Sequence, residues 1–260
     1  MTEGWSSGEA YEPYVGRWSR LVAAEFIDWL GVAPQRRWLD VGCGTGAITS
    51  VILSHNDPLA ILGIDPSPAY VAWAAANIQD SRARFEVGDA TRLPHSIADV
   101  VVSGLVLNFV PQPALAVAAM RLAAPDGLVA AYVWDYADRM ESKRHFWDAA
   151  IALDPNAADL DEGRRFQICR PEPLAALWQE AGFTNVTTRA IDVPTIFRDF
   201  DDYWNAFLGG QGPAPSYAMS LEVEHRDALR DRIGAGLPIN SDGSIHLIAR
   251  AWAVQGGNRL

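Results

Sequence analysis

The chain is poor in cysteine, in basic clusters and in long apolar runs. Its two cysteines, Cys43 and Cys169, belong to no CxxC or His-Cys cluster, so the expectation is no thiolate metal site and no metal. One disulfide between them is conceivable, but two reduced thiols in a cytoplasmic protein is the plainer reading. No basic run is longer than the pairs Arg36-Arg37 and Arg164-Arg165. The formal net charge is -11 over 260 residues, which repels a phosphate backbone and an anionic membrane surface. Neither nucleic acid nor membrane is therefore expected as a partner. No apolar run approaches the ~20 residues that span a bilayer. The stretch Met1 to Ala10 is polar and acidic, unlike a secretory leader.

Hydrophobic residues make up 49% of the chain, enough for a substantial core. Trp18, Leu21, Val22, Phe26, Trp29 and Leu30 share one stripe, predicting a helix from about Tyr14 to Leu30, closed by Gly31. Short apolar runs then alternate with helical segments. Strands are predicted at Trp38–Val41, Leu59–Ile64, Arg84–Val87, Ala98–Gly104 and Leu128–Trp134. Helices are predicted after the first, second and fourth of these, with Ser67 as cap and Pro68 in the first turn of the second. This rhythm predicts a mostly parallel sheet with helices on both faces. Beyond Trp134 a helix is predicted over Glu141–Leu153, a loop over Asp154–Gly163, and a helix over Pro173–Ala181. A strand at Asn185–Val193, an aromatic helix at Phe197–Leu208, a loop at Gly209–Pro215 and a helix at Leu221–Ile233 follow. A last strand is predicted at Ser244–Ala253.

The loop Asp40-Val-Gly42-Cys-Gly44-Thr-Gly46 joins the first strand to a helix. Glycines there allow a tight turn and close approach of a ligand to the backbone. The helix N-terminus behind them is expected to offer N–H groups to an anion or a lone pair. Gly42, Gly44 and Ala47 also satisfy a GxGxxA dinucleotide fingerprint, and Asp65 at the end of the second strand suits a ribose in either case. A nicotinamide-dependent oxidoreductase thus stays open on the loop alone. Against it stand the early third glycine, Gly46, the acid Asp40 before the loop, and a further acid, Asp89, after the third strand.

Several short motifs in order are more specific than one. Leu39-Asp-Val-Gly-Cys-Gly-Thr-Gly46 resembles the first motif of class I S-adenosylmethionine-dependent methyltransferases. Gly63-Ile-Asp65 resembles the second, Val87-Gly-Asp89-Ala90 the third, and Asp99 to Ser103 through Phe109-Val-Pro111 the fourth. The matched stretch runs from about Tyr14 to Trp134, and the small-molecule enzymes of the ubiquinone-biosynthesis type are the most similar group. The resemblance implies a Rossmann-like, doubly wound, seven-stranded sheet with a helical cap and an antiparallel last strand near one edge. It implies S-adenosyl-L-methionine as cofactor and S-adenosyl-L-homocysteine as product. Asp65 would hold the ribose with Pro66 beside it, Asp89 would meet the adenine amine, and Ile64, Ala90 and Leu107 would flank the ring. Asp40 would orient the loop or receive the cofactor ammonium indirectly. Asp65 and Asp89 also suit plain turn or capping residues.

Tyr14 and Arg17 precede the first strand, where family members often close a lid over the cofactor, so a lid over 1–31 is expected. Arg17 suits a carboxylate, although a solvated arginine on a helix is an equal reading. In-line methyl transfer requires alignment more than a base. Asp135, His145 and Asn108 are the catalytic candidates, Asp135 as an acceptor contact and His145 as a base, although a lone histidine beside Arg144 and Phe146 also suits a surface or packing role. An Asn/Asp-Pro-Pro-Tyr pattern is missing from the fourth motif, which argues against adenine or amide nitrogens. Within one methyltransferase domain over 1–260, segments 136–170 and 195–240 are read as the acceptor cap. Their aromatics, among them Phe146, Trp147, Tyr203 and Phe207, serve an apolar pocket or simply a core. A small, partly apolar acceptor methylated at O, N or C is expected, with a monomer or homodimer as the assembly. A non-catalytic cofactor-binding protein is the remaining alternative.

Overall fold

The computed structural model describes residues 17–209 and 212–257. Tyr14 lies outside the described residues, as does the side chain of Arg17. The chain divides into two compact units. The larger holds 19–134, 168–191 and the segment from Ala251 onward; the smaller holds 135–167 and 192–250 together with Trp18. The two segments read as an acceptor cap lie almost wholly in the smaller unit.

The sheet order is β3-β2-β1-β4-β5-β7-β6, with β1 Arg37–Val41, β2 Ala60–Asp65, β3 Ala83–Val87, β4 Val100–Gly104, β5 Leu128–Trp134, β6 Thr187–Phe197 and β7 Ile245–Gly257. Strands β1 to β5 pair in parallel, while β7 runs antiparallel to β5 with Trp134 opposite Ala251. This is the seven-stranded, Rossmann-like architecture that the resemblance implies. The central strands read as nearly continuous apolar runs because helices cover both faces. All residues of β5 are buried. Consecutive strands run outward from β1 to β3 on one side and from β4 to β5 on the other. The order therefore switches between β1 and β4, where a doubly wound sheet opens a crevice at its carboxyl edge.

The helices of the larger unit are α1 Arg17–Leu30, α2 Ala47–His55, α3 Pro68–Asn77, α4 Pro113–Ala123 and, later, Pro171–Glu180. The stripe of α1 is rotated from the expected one: Leu21 is exposed, while Ala23 and Ile27 join Val22 and Phe26 in the core. Phe26 meets the Tyr132 ring edge-on, with centroids 4.8 Å apart. Helix α3 buries only Ala74, although its sequence is apolar on most sides, because alanines cover little surface beside an exposed edge strand. The indole of Trp178 donates to the carbonyl of Val129 at 3.1 Å, tying the late helix to β5.

The smaller unit is built on α5 Glu141–Leu153, α6 Glu162–Arg165, the helix Pro171–Glu180 of the other unit being α7, then α8 Phe200–Asn205, α9 Pro213–Ser220 and α10 Val223–Gly236. Phe146 stacks on Phe207 at 4.7 Å, and Phe197 meets Tyr203 at 5.1 Å. Phe146, Trp147, Phe197, Tyr203, Trp204 and Phe207 are all buried, so these aromatics form this unit's core. The chain's single lysine, Lys143, is 3% exposed and pairs with Glu162 at 2.9 Å. Glu162 also accepts from the Trp147 indole, and Asp161 pairs with Arg144. Where a loop was expected at 154–163, a 3-10 helix spans Pro155–Asp159 before α6. Both cysteines are buried and neither is in a disulfide.

Candidate functional site

The crevice at the carboxyl edge is framed by the ends of β1, β2 and β4. In register, Asp40 of β1 lies opposite Gly63 of β2 and Val102 of β4. The glycine loop leaves β1 with Gly42, Gly44 and Gly46 all left-handed, at φ of 73, 52 and 83°. These values cost a side chain-bearing residue about 1–2 kcal/mol each, which explains glycine at alternate positions. At Gly42 a Cβ would also meet Val106 Cγ2 at 2.4 Å. At Gly44 a Cβ would meet nothing within 4 Å, so the loop there borders open space.

Four of the loop's N–H groups are used within the protein; they belong to the loop itself and not to the first turn of α2, whose N–H groups are the ones expected to meet a ligand. Gly42 and Cys43 both donate to the carbonyl of Ile64, at 2.7 and 3.1 Å. Gly46 donates to the Cys43 carbonyl at 2.8 Å, and Gly44 donates to Asp65 Oδ2 at 3.0 Å. An incoming pyrophosphate would find these four donors already engaged.

Asp65 is 7% exposed and ends β2. Its Oδ1 accepts the Ser67 N–H at 2.8 Å, so each oxygen holds one backbone donor. A carboxylate has about four lone-pair sites, which leaves room for two further donors such as a vicinal diol. Burial raises the Asp65 pKa, and the bonds from Ser67 and Gly44 oppose that rise. Asp40 is 1% exposed. Its Oδ2 accepts from Thr49 Oγ1 at 2.7 Å, which ties β1 to α2, and its buried Oδ1 has no partner. Burial, with a lesser push from the Asp65 charge, moves the Asp40 pKa up to about 7 against the Thr49 bond. Burial likewise raises Cys43, so its thiol stays protonated.

After β4 the chain passes through Leu105 at φ 61°, a left-handed value rare for leucine, held by its N–H donating to the Tyr132 carbonyl at 2.8 Å. This kink delivers a 3-10 helix, Leu107–Phe109. Leu107 is 1% exposed. Asn108 has both amide atoms buried and without a hydrogen bond. Ser103 Oγ donates to the Val41 carbonyl at 2.8 Å, fixing β4 against β1 at this edge.

Asp89 is exposed, and its Oδ1 accepts from the backbone and hydroxyl of Thr91 at 2.8 and 2.9 Å. It thus makes the turn that the sequence also allowed, with Oδ2 outside those bonds. Pro66 is exposed and Ala90 half-buried. Asp135 and His145 belong to the smaller unit. Asp135 is buried and accepts the Asp138 N–H at 3.1 Å. Burial lowers the His145 pKa against the charges of Asp148 and Glu141, leaving a neutral imidazole at neutral pH. Thr49 and Tyr70, whose buried hydroxyl has no partner, lie outside the quoted motifs, and the part Ser103 plays in joining β4 to β1 is visible only once the strands are aligned.

The crevice therefore offers two buried acids, spent loop amides and open space beside Gly44. A buried carboxylate oxygen without a partner is satisfied by a cation or a strong donor, not by an anion. S-adenosylmethionine brings a sulfonium, an ammonium and a ribose diol, which fit this set.

Comparison with known proteins agrees. The sequence profile of a methyltransferase domain matches residues 15–188. The chain is similar to a trans-aconitate 2-methyltransferase of Methylobacterium radiotolerans, 29% identical over 241 residues, covering 85% of this chain and 86% of that protein. It is also similar to a demethylmenaquinone methyltransferase of a Roseiflexus species, 28% identical over 172 residues, covering 60% and 71% respectively. In fold it resembles the YcgJ protein of Bacillus subtilis, with a TM-score of 0.60, 16% identity, and coverage of 92% and 99%.

Proposed function

We propose an arrangement of cofactor and acceptor on one premise: the chain belongs to the methyltransferase-domain family, and it is an S-adenosylmethionine-dependent enzyme that methylates a small molecule. The carrying observation is the buried pair Asp40 and Asp65 beside the open space at Gly44. Asp65 holds the ribose hydroxyls with its remaining lone pairs. The unpartnered Oδ1 of Asp40 faces the cofactor's positive end, directly or through water. Gly44 lets the cofactor lie against the backbone, Leu107 flanks the adenine, and Asp89 Oδ2 with Ala90 meets its edge. Bound in this way, the cofactor supplies an electrophilic methyl group on sulfur.

Asn108 aligns the acceptor. Burying an amide without partners costs about 1–3 kcal/mol per unmet group, so a ligand that restores those bonds gains correspondingly. This favours an acceptor whose reacting end carries a hydrogen-bonding oxygen or nitrogen. The work asked of the protein is alignment and exclusion of water, with no base required where the acceptor already has a free lone pair. Trans-aconitate, named in the 29% identical relative, is the first compound to assay. We further place the protein in the cytoplasm, on its two cysteines outside any disulfide, as a monomer or homodimer. The net charge of -11 argues against nucleic acid. Among the described residues no helix is long and apolar enough to cross a membrane.

Radiolabelled methyl transfer to a panel of small carboxylic acids, phenols and amines tests the reading. With an active acceptor in hand, Asn108→Leu should lower kcat/KM at least tenfold without weakening cofactor binding. Unchanged turnover would remove Asn108 from the acceptor site.

A further inference from the structure

The side-chain atoms left buried without partners in the larger unit are few, and Tyr70 Oη is one of them. It stands on the first turn of α3, a helix that otherwise buries only Ala74. A tyrosine on such a surface helix ordinarily turns its hydroxyl to water or to a partner. Here the hydroxyl is out of water and bonded to nothing. The backbone of Tyr70 is tied to the acid at the end of β2. Asp65 Oδ1 fixes the Ser67 N–H at 2.8 Å, and Ser67 Oγ in turn caps α3 by accepting the Tyr70 N–H at 3.4 Å. Burial raises the Tyr70 pKa, and the Asp65 charge adds to the rise, so the phenol lies within the field of that carboxylate. Both Asp65 oxygens are already bonded to backbone N–H groups, and Tyr70 is bonded to neither. Trp38 Nε1 and Asn56 Oδ1 are also unpartnered, but they lie on β1 near its amino end and beyond the end of α2, away from the carboxyl edge.

Resting on the cofactor assignment above, we propose that Tyr70 is a further specificity-determining residue, whose hydroxyl bonds a ribose hydroxyl of the ligand held by Asp65. A phenol both donates and accepts, so it can donate to a sugar oxygen whose own proton goes to the carboxylate. The pair then reads the sugar as a diol, and a deoxy-sugar leaves the phenol unpaired. A buried polar group left unmet is what makes such sites reject the analogue lacking a hydroxyl.

The test is calorimetric titration of wild type and Tyr70→Phe with S-adenosylhomocysteine and with its 2′-deoxy and 3′-deoxy analogues. Tyr70→Phe should weaken binding of the parent ligand about tenfold. Wild type should discriminate against at least one deoxy analogue, and the variant should discriminate about tenfold less. Because the hydroxyl has no partner in the free protein, the apo melting temperature of Tyr70→Phe should be unchanged or raised. Equal affinities of wild type and variant for the parent ligand would overturn the proposal while leaving the cofactor assignment standing. Failure of wild type to bind S-adenosylhomocysteine would instead overturn that assignment, and this proposal with it.

Discussion

Two glycines of the same loop, Gly42 and Gly44, should respond differently to the same added methyl group. Gly42→Ala places a Cβ 2.4 Å from Val106 Cγ2 and 3.0 Å from Val106 Cβ, and forces alanine to φ 73°. Valine is stiff at χ1 and cannot swing aside cheaply. The left-handed backbone costs about 1–2 kcal/mol and the overpacking about 1–3 kcal/mol. A loss of about 2–5 kcal/mol lowers the melting temperature of a chain this size by ~5–15 °C. Gly44→Ala carries the same backbone cost at φ 52° but meets nothing within 4 Å. Its apo melting temperature should fall by only a few degrees, ~1–2 kcal/mol. The added methyl enters the space assigned to the cofactor, so affinity for S-adenosylhomocysteine should drop at least tenfold. Differential scanning calorimetry of the apo proteins and isothermal titration separate the two effects. If Gly44→Ala bound the ligand like wild type, the open space beside the loop would not be the cofactor cradle.

The pKa of Asp40, raised to about 7 by burial, gives the apo protein a pH signature. The unfolded carboxyl titrates near 4, so the folded state holds the extra proton between about 4 and 7. This contribution is full below about 4 and is lost as pH rises through about 7; Asp40→Asn should flatten the melting temperature across that window. Affinity for S-adenosylmethionine should run the other way, weakening as pH falls from 8 to 6, because the ionised acid is the form that meets a cation. An Asp40→Asn variant with the wild-type affinity profile would contradict that role. In the smaller unit, Lys143→Met strands the buried Glu162 charge and should cost about 3–5 kcal/mol, with Lys143→Met/Glu162→Gln recovering at least half of it in denaturant melts. A single variant costing under about 1 kcal/mol would mean that the pair is not the unit's anchor. Ser103→Ala removes the bond to the Val41 carbonyl and should cost about 1 kcal/mol, measured by the same melts.

What was legible in the sequence was what repeats or punctuates. The strand–helix rhythm predicted five parallel strands in their right places, and Ser67-Pro68 marked the start of α3 because capping and a first-turn proline are local chemistry. Helix α5 over Glu141–Leu153 was read to the residue. Proline misled in two places. Strand β6 runs on through the exposed Pro194 to Phe197, past its expected end at Val193, and Pro213 opens α9 where a loop was expected. The loop amides were beyond the sequence, since their acceptors, Ile64 and Asp65, come from the neighbouring strand. Asp89 fitted its motif by spacing, yet Thr91 two residues on competes for the same oxygen, a turn signal present in the sequence and outweighed there by the motif. The missing bonds of Asp40, Tyr70 and Asn108 leave no mark in the sequence, because an absence of partners is a property of packing alone.

The central claim is that the acids at the carboxyl edge bind the adenosyl cofactor. Isothermal titration of wild type and Asp65→Ala with S-adenosylhomocysteine, with NADH as comparison, tests it most directly. The account predicts micromolar binding of S-adenosylhomocysteine (~-8 kcal/mol) that is lost in Asp65→Ala, and no binding of NADH. Binding of NADH without S-adenosylhomocysteine, or an Asp65→Ala variant that binds as tightly as wild type, would contradict it.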